Sequence, residues 1–167
     1  MGRTFAIAGL ILLCAGTGTQ ADAARESLGL SEGWGAFADS MPRRCFAIAE
    51  PARRSTRGDW RPFFSVSHWP GAKVRGQVHV RLRREKLRTA PVWLAIGEKR
   101  FRLVGGGADA WAPDARTDAA IVVAMRSGTS MSIEARDRNG RAFTDAYRLR
   151  GAATAIDAAA IGCARRR

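Results

Sequence analysis

The chain has 167 residues, with 28 Lys or Arg against 15 Asp or Glu, a net charge of +13 and a pI near 11.4. Its length suits one domain with a core of ordinary size, not two. The charge points to anionic partners: lipopolysaccharide, phospholipid head groups, nucleic acid or acidic glycans. A GC-rich genome alone would also give this Arg-, Ala- and Gly-heavy composition, in which Lys occurs only at Lys73, Lys86 and Lys99.

The first 23 residues read as a secretory signal. Arg3 supplies the positive start, residues 5–15 (FAIAGLILLCA) an apolar run too short to span a bilayer, and Ala21-Asp22-Ala23 an A-x-A cleavage site. Cleavage is expected after Ala23, giving a periplasmic or secreted protein with no transmembrane segment in the mature chain. Nucleic acid is then not expected as a physiological partner. Leu13 before Cys14 is wrong for lipidation. Removing Cys14 leaves Cys45 and Cys163, an even number in an oxidising compartment, so a disulfide between them is expected. Two cysteines this far apart, with no nearby histidine, do not match zinc spacing.

Residues 24–32 are polar and contain Gly, and read as a flexible lead-in to a domain over 33–164. Trp34 to Phe37 is the first expected strand. Residues 45–50 (CFAIAE) form the next, apolar on both faces and stopped by Pro51. The basic stretch 53–61 reads as an exposed loop. In residues 63–69 (FFSVSHW) Phe64, Val66 and His68 share a face. Residues 77–83 (QVHVRLR) alternate most cleanly, with Val78, Val80 and Leu82 inward and His79, Arg81 and Arg83 outward to solvent.

The run 92–96 (VWLAI) suits a core strand, joined by a hairpin at Gly97 to residues 100–104 (RFRLV), which Gly105-Gly106-Gly107 ends in a flexible turn. Trp111-Ala112 reads as an edge segment. Residues 117–127 then switch to a helix, with Thr117 as N-cap, Gly128 as C-terminal cap, and Ile121, Met125 and either Val122 or Ala124 as the apolar stripe. Residues 131–136 and 143–150 form a hairpin around Asn139-Gly140. An Ala-rich helix over 152–161 follows, stopped by Gly162, and residues 165–167 are a basic tail. The expected fold is mainly β: about eight strands in a single-domain sandwich or barrel-like fold, with two short helices in the C-terminal half.

Chemistry is sparse. The only histidines are His68 and His79. Ser67 adjoins His68 but must point to the opposite face, and Asp59, Asp109 and Asp145 are acids that could complete a triad with it. Gly105 to Gly107 lacks the Gly-Lys-Ser/Thr of a phosphate loop. The reading is therefore non-enzymatic, with no catalytic residues, cofactor or metal; a hydrolase using His68 is the alternative. The strongest binding feature is residues 79–88 (HVRLRREKLR), with Arg81, Arg83, Arg84 and Arg88 as candidate anion-binding residues. A solvated strand face in a basic protein would look the same. Trp60, Trp69 and Trp111 near loops could form a platform, or could fill core space.

The segments VWLAI, FRLV, AWAPDARTDAAIVVAMRSGTSMSIEA and DAYRLRGAATAIDAA resemble the invasion-associated locus B family of exported bacterial proteins. The match covers about half the mature chain and is looser around Trp34 and Cys45. The resemblance implies a small β-sandwich in the envelope, with a role in host-cell invasion in some members and no established reaction. The family's further cysteine pair, around Gly107 to Trp111, is missing here. The resulting expectation is an exported envelope protein that binds an anionic envelope component or a protein partner; a purely structural envelope component is the remaining alternative.

Overall fold

The computed structural model describes residues 25–53 and 58–165. The expected signal segment and its cleavage point lie outside the described residues, as do part of the 53–61 loop and the last two residues of the basic tail. Among the described residues, no helix is long and apolar enough to cross a membrane.

The fold is mainly β. Ten antiparallel strands form one sheet in the order β1-β2-β3-β4-β5-β8-β7-β6-β9-β10, and the two helices both lie in the C-terminal half. The strands are β1 (Glu26–Ser31), β2 (Trp34–Asp39), β3 (Arg44–Ala49), β4 (Phe63–Trp69), β5 (Val74–Arg81), β6 (Val92–Ile96), β7 (Lys99–Gly106), β8 (Asp109–Trp111), β9 (Ser130–Arg136) and β10 (Ala142–Arg148). Helix α1 spans Ala115–Ser127 and α2 spans Ala152–Arg165.

The sheet curls without closing. Across the gap the Ala52 amide donates to the Ala146 carbonyl (2.8 Å), and the Trp34 indole donates to the Arg148 carbonyl (2.8 Å). Phe64 meets Trp34 and Tyr147 edge-on inside the curl. The alternation of β5 turns Val78 and Val80 into a fully buried core with Val66, Leu94, Ile121 and Ile133.

Several elements differ from the sequence expectation. The residues read as a flexible lead-in form β1, an edge strand. A two-residue turn at Glu32 and Gly33, both at positive φ, pairs Ser31 with Trp34 and sets the register. Leu28 anchors β1 against α2: a Cβ on Gly162 would stand 2.5 Å from Leu28 Cδ1. Gly162 therefore lies inside α2 and does not stop it; the missing side chain admits Leu28.

Asp114, not Thr117, caps α1, accepting from the Thr117 amide at 2.7 Å. A carboxylate can bridge from the cap to the third helical amide, and Thr117 is that third residue. Of the alternatives for the apolar stripe, Ala124 is the buried one. Trp111, expected with Ala112 in an edge segment, instead ends β8, which lies between β5 and β7. Gly105 pairs with Ala110 there. A Cβ on Gly105 would stand 2.3 Å from the Asp109 carbonyl oxygen, so this glycine serves a close strand approach, not a flexible turn.

Candidate functional site: an arginine strip and a basic cavity

The arginine strip of residues 81–88 is not an open array of cations. Arg81 Nε stands 2.9 Å from Asp109 Oδ1, the same oxygen that takes His79 Nε2 at 2.8 Å. Arg83 Nε stands 3.2 Å from Asp145 Oδ1, and its guanidinium donates to the Thr144 carbonyl and lies over the Phe143 ring. Both Nε contacts are within ion-pair distance but lack hydrogen-bond alignment. Arg84 Nη1 donates to Asp137 Oδ2 at 3.0 Å. Burial opposes the Asp137 charge, but bonds from the Arg141 and Asn139 amides and from Arg84 hold its pKa below the usual carboxylate value. Of the four, Arg88 alone is exposed.

Each paired arginine thus serves a separate carboxylate. The alternation of β5 was legible, but not that β8, the turn after β9 and β10 would supply Asp109, Asp137 and Asp145 to Arg81, Arg84 and Arg83. His79, expected in solvent, is half-buried: it stacks on Trp111 (4.9 Å between ring centres) and meets Phe63 edge-on. The three tryptophans do not form a platform. Trp69 donates to Gln77 (3.1 Å) under the Arg44 guanidinium, Trp111 stacks on His79, and Trp60 is exposed.

The other candidate, His68, lies at the latch of the fold. Cys45 and Cys163 are bonded, with a Cα–Cα distance of 5.7 Å across a separation of 118 residues. Cys45 sits opposite His68 in the β3–β4 register. Beside them opens a cavity of about 710 Å³, lined by Arg43, His68, Lys73, Arg75 and an apolar part that includes Val74, Ala160 and Cys163. No carboxylate is among its lining residues. Lys73 and Arg75 are exposed, and among the described residues neither has an ion-pair partner. Arg43 donates to the Cys163 carbonyl at 3.3 Å, near the end of α2.

Buried His68 Nε2 has no hydrogen-bond partner. Burial, reinforced by the nearby Arg75 charge, holds its pKa below the ordinary 6.5. Ser67 is buried on the opposite side of β4, and Asp109 and Asp145 are committed to the arginine strip, while Asp59 lines a separate cavity with Arg84 and Asp137. His68 therefore has neither a nucleophile nor an orienting acid from these residues. Among the described residues, no group of three or more His, Cys, Asp or Glu side chains is placed to hold a metal ion.

Arg43, Lys73 and Arg75 were not singled out in the sequence, because they are scattered over two loops and a strand start. The available signal was indirect. If Cys45 is latched to the last helix, the cations next to Cys45 and around the turn after His68 must crowd that latch. The chain matches no family model, no curated protein and no solved structure.

Proposed function

We propose that this is an exported, non-catalytic protein of the bacterial envelope that binds an anionic envelope component. The supporting observation is that internal pairing does not consume the positive charge. Asp39, Asp109, Asp137, Asp145 and Asp157 are each bridged to arginine, yet Arg88, Arg102, Lys73 and Arg75 remain exposed in a chain of net charge +13. Such a surface draws anions over a distance set by ionic strength. Export rests on the N-terminal signal pattern, and kinship with the invasion-associated locus B family on the segments quoted above. In this reading lipopolysaccharide or phospholipid head groups are the partners.

Co-sedimentation with lipid vesicles tests this. The protein is expected to sediment with phosphatidylglycerol vesicles but not with phosphatidylcholine vesicles, and to be released as salt rises from about 0.1 M to about 1 M, where screening shortens to roughly 3 Å. Equal binding to both lipids, or binding indifferent to salt, would overturn the reading.

A further inference from the structure

The cavity at the latch differs from the rest of the basic surface in three respects. Its cations converge on one space, it has no lining acid, and part of its wall is apolar. Resting on the anion-binding reading above, we infer that this cavity is a binding site for a phosphate-headed amphiphile. The head group lies between Lys73 and Arg75, and the apolar body lies against Val74, Ala160 and the Cys163 sulfur.

The charge argument comes first. Like charges gathered around one concavity raise its potential, and low-dielectric walls focus it. In the strip Arg81, Arg83 and Arg84 meet carboxylates; here no described residue supplies one, and in this reading the counter-charge comes from a ligand. The end of α2 works against an anion, because its last carbonyls carry partial negative charge. Arg43 offsets this by donating to the Cys163 carbonyl, which leaves the two exposed cations uncommitted. His68 also lines this space, but its Nε2 is buried and is not counted among the contacts to the head group.

Size and polarity then select the ligand class. A volume of about 710 Å³ lies within the roughly 300–1,000 Å³ of small-molecule sites. Inorganic phosphate would fill little of it and leave the apolar wall wet. A phosphate ester with a short alkyl chain satisfies both parts. The ester could belong to a lipid or to a soluble metabolite, and both present the same head.

Titration calorimetry with hexyl phosphate and with inorganic phosphate, alongside the vesicle assay, tests the site. Hexyl phosphate is expected to bind at least about tenfold more tightly than inorganic phosphate. Lys73→Glu with Arg75→Glu should weaken hexyl phosphate binding by about tenfold or more. Ala160→Phe, which keeps every cation but fills the apolar wall, should weaken it as well. Arg116→Glu with Arg150→Glu, at two exposed arginines outside the cavity lining, should leave it unchanged. These cations are exposed, and circular dichroism would verify that the variants fold.

If hexyl phosphate binds no better than inorganic phosphate, or Ala160→Phe has no effect, the cavity is not the site, and vesicle binding still stands. If neither probe nor vesicle binds at low salt, the general reading falls with it. Displacement from vesicles by hexyl phosphate marks a lipid source. Vesicle binding undisturbed by hexyl phosphate marks a soluble ester. Either result retains the site.

Discussion

The arginine strip that starts at the end of β5 and the basic cavity at the latch contain the same kind of residue in opposite circumstances. In the strip, Arg81, Arg83 and Arg84 each meet a carboxylate delivered by another strand or turn, so their charge is spent on holding the sheet together. In the cavity, Arg43 attends to a helix end, while Lys73 and Arg75 meet no acid among the described residues. A run of arginines in a sequence is therefore a poor guide to where a protein can bind an anion. What counts is whether the fold brings a carboxylate to each cation, and that depends on strand order.

The largest expected effect comes from cutting the latch. Replacing Cys45 and Cys163 with serine should cost about 4–5 kcal/mol in the chain-entropy account, since the bridge closes a loop of 118 residues. Urea denaturation measures this. The change should also be local. Amides of β3 and α2, the two elements that the bridge joins, should gain hydrogen exchange before those of residues 80–86. A uniform increase would show that cavity and strip share one cooperative unit.

A somewhat smaller effect is expected from Arg83→Ala. Asp145 is buried, its Oδ2 has no partner, and its pKa is raised, chiefly by burial and partly countered by Arg83. Removing the arginine leaves that carboxylate uncompensated, at a cost of about 3 kcal/mol. Asp145→Asn in the same chain should recover much of the loss, because the neutral amide no longer needs a counter-ion. Strong non-additivity in this double-mutant cycle is the expected result; simple addition would mean that Arg83 acts mainly by packing on Phe143.

Much of the architecture was legible in the sequence. Alternation at Val78, Val80 and Leu82, the turns at Gly97 and Asn139-Gly140, the late helices and the cysteine pair all appear in the fold, because each is a local pattern or a matter of counting. The misses share one cause. β1 carries little alternation and exists because Leu28 can reach α2 at Gly162. β8 has three residues and exists because β5 and β7 flank it. The cavity is assembled from the residues beside Cys45, the turn after β4 and the last turn of α2. No window of sequence contains it, and only the disulfide pairing hinted at its place.

The two histidines sharpen the comparison at smallest amplitude. His79 has an acid beside it; His68 has only cations. Facing His68 from the packed elements are Arg43, Lys73 and Arg75, and its folded pKa lies below 6.5, with burial the larger cause and Arg75 the second. The unfolded chain therefore binds a proton at His68 more readily than the folded one does. The stabilising contribution of neutral His68 is fully present above about pH 6.5 and is lost as pH falls through the lower folded value. Wild type should thus lose more stability between about pH 7 and pH 5 than His68→Gln does, as read from urea midpoints. A ligand anion in the cavity should shrink that difference, since its charge would offset Arg75 and make protonation less unfavourable. If wild type and His68→Gln follow the same pH course, the imidazole is not held among uncompensated cations, and the contrast between cavity and strip fails at this residue.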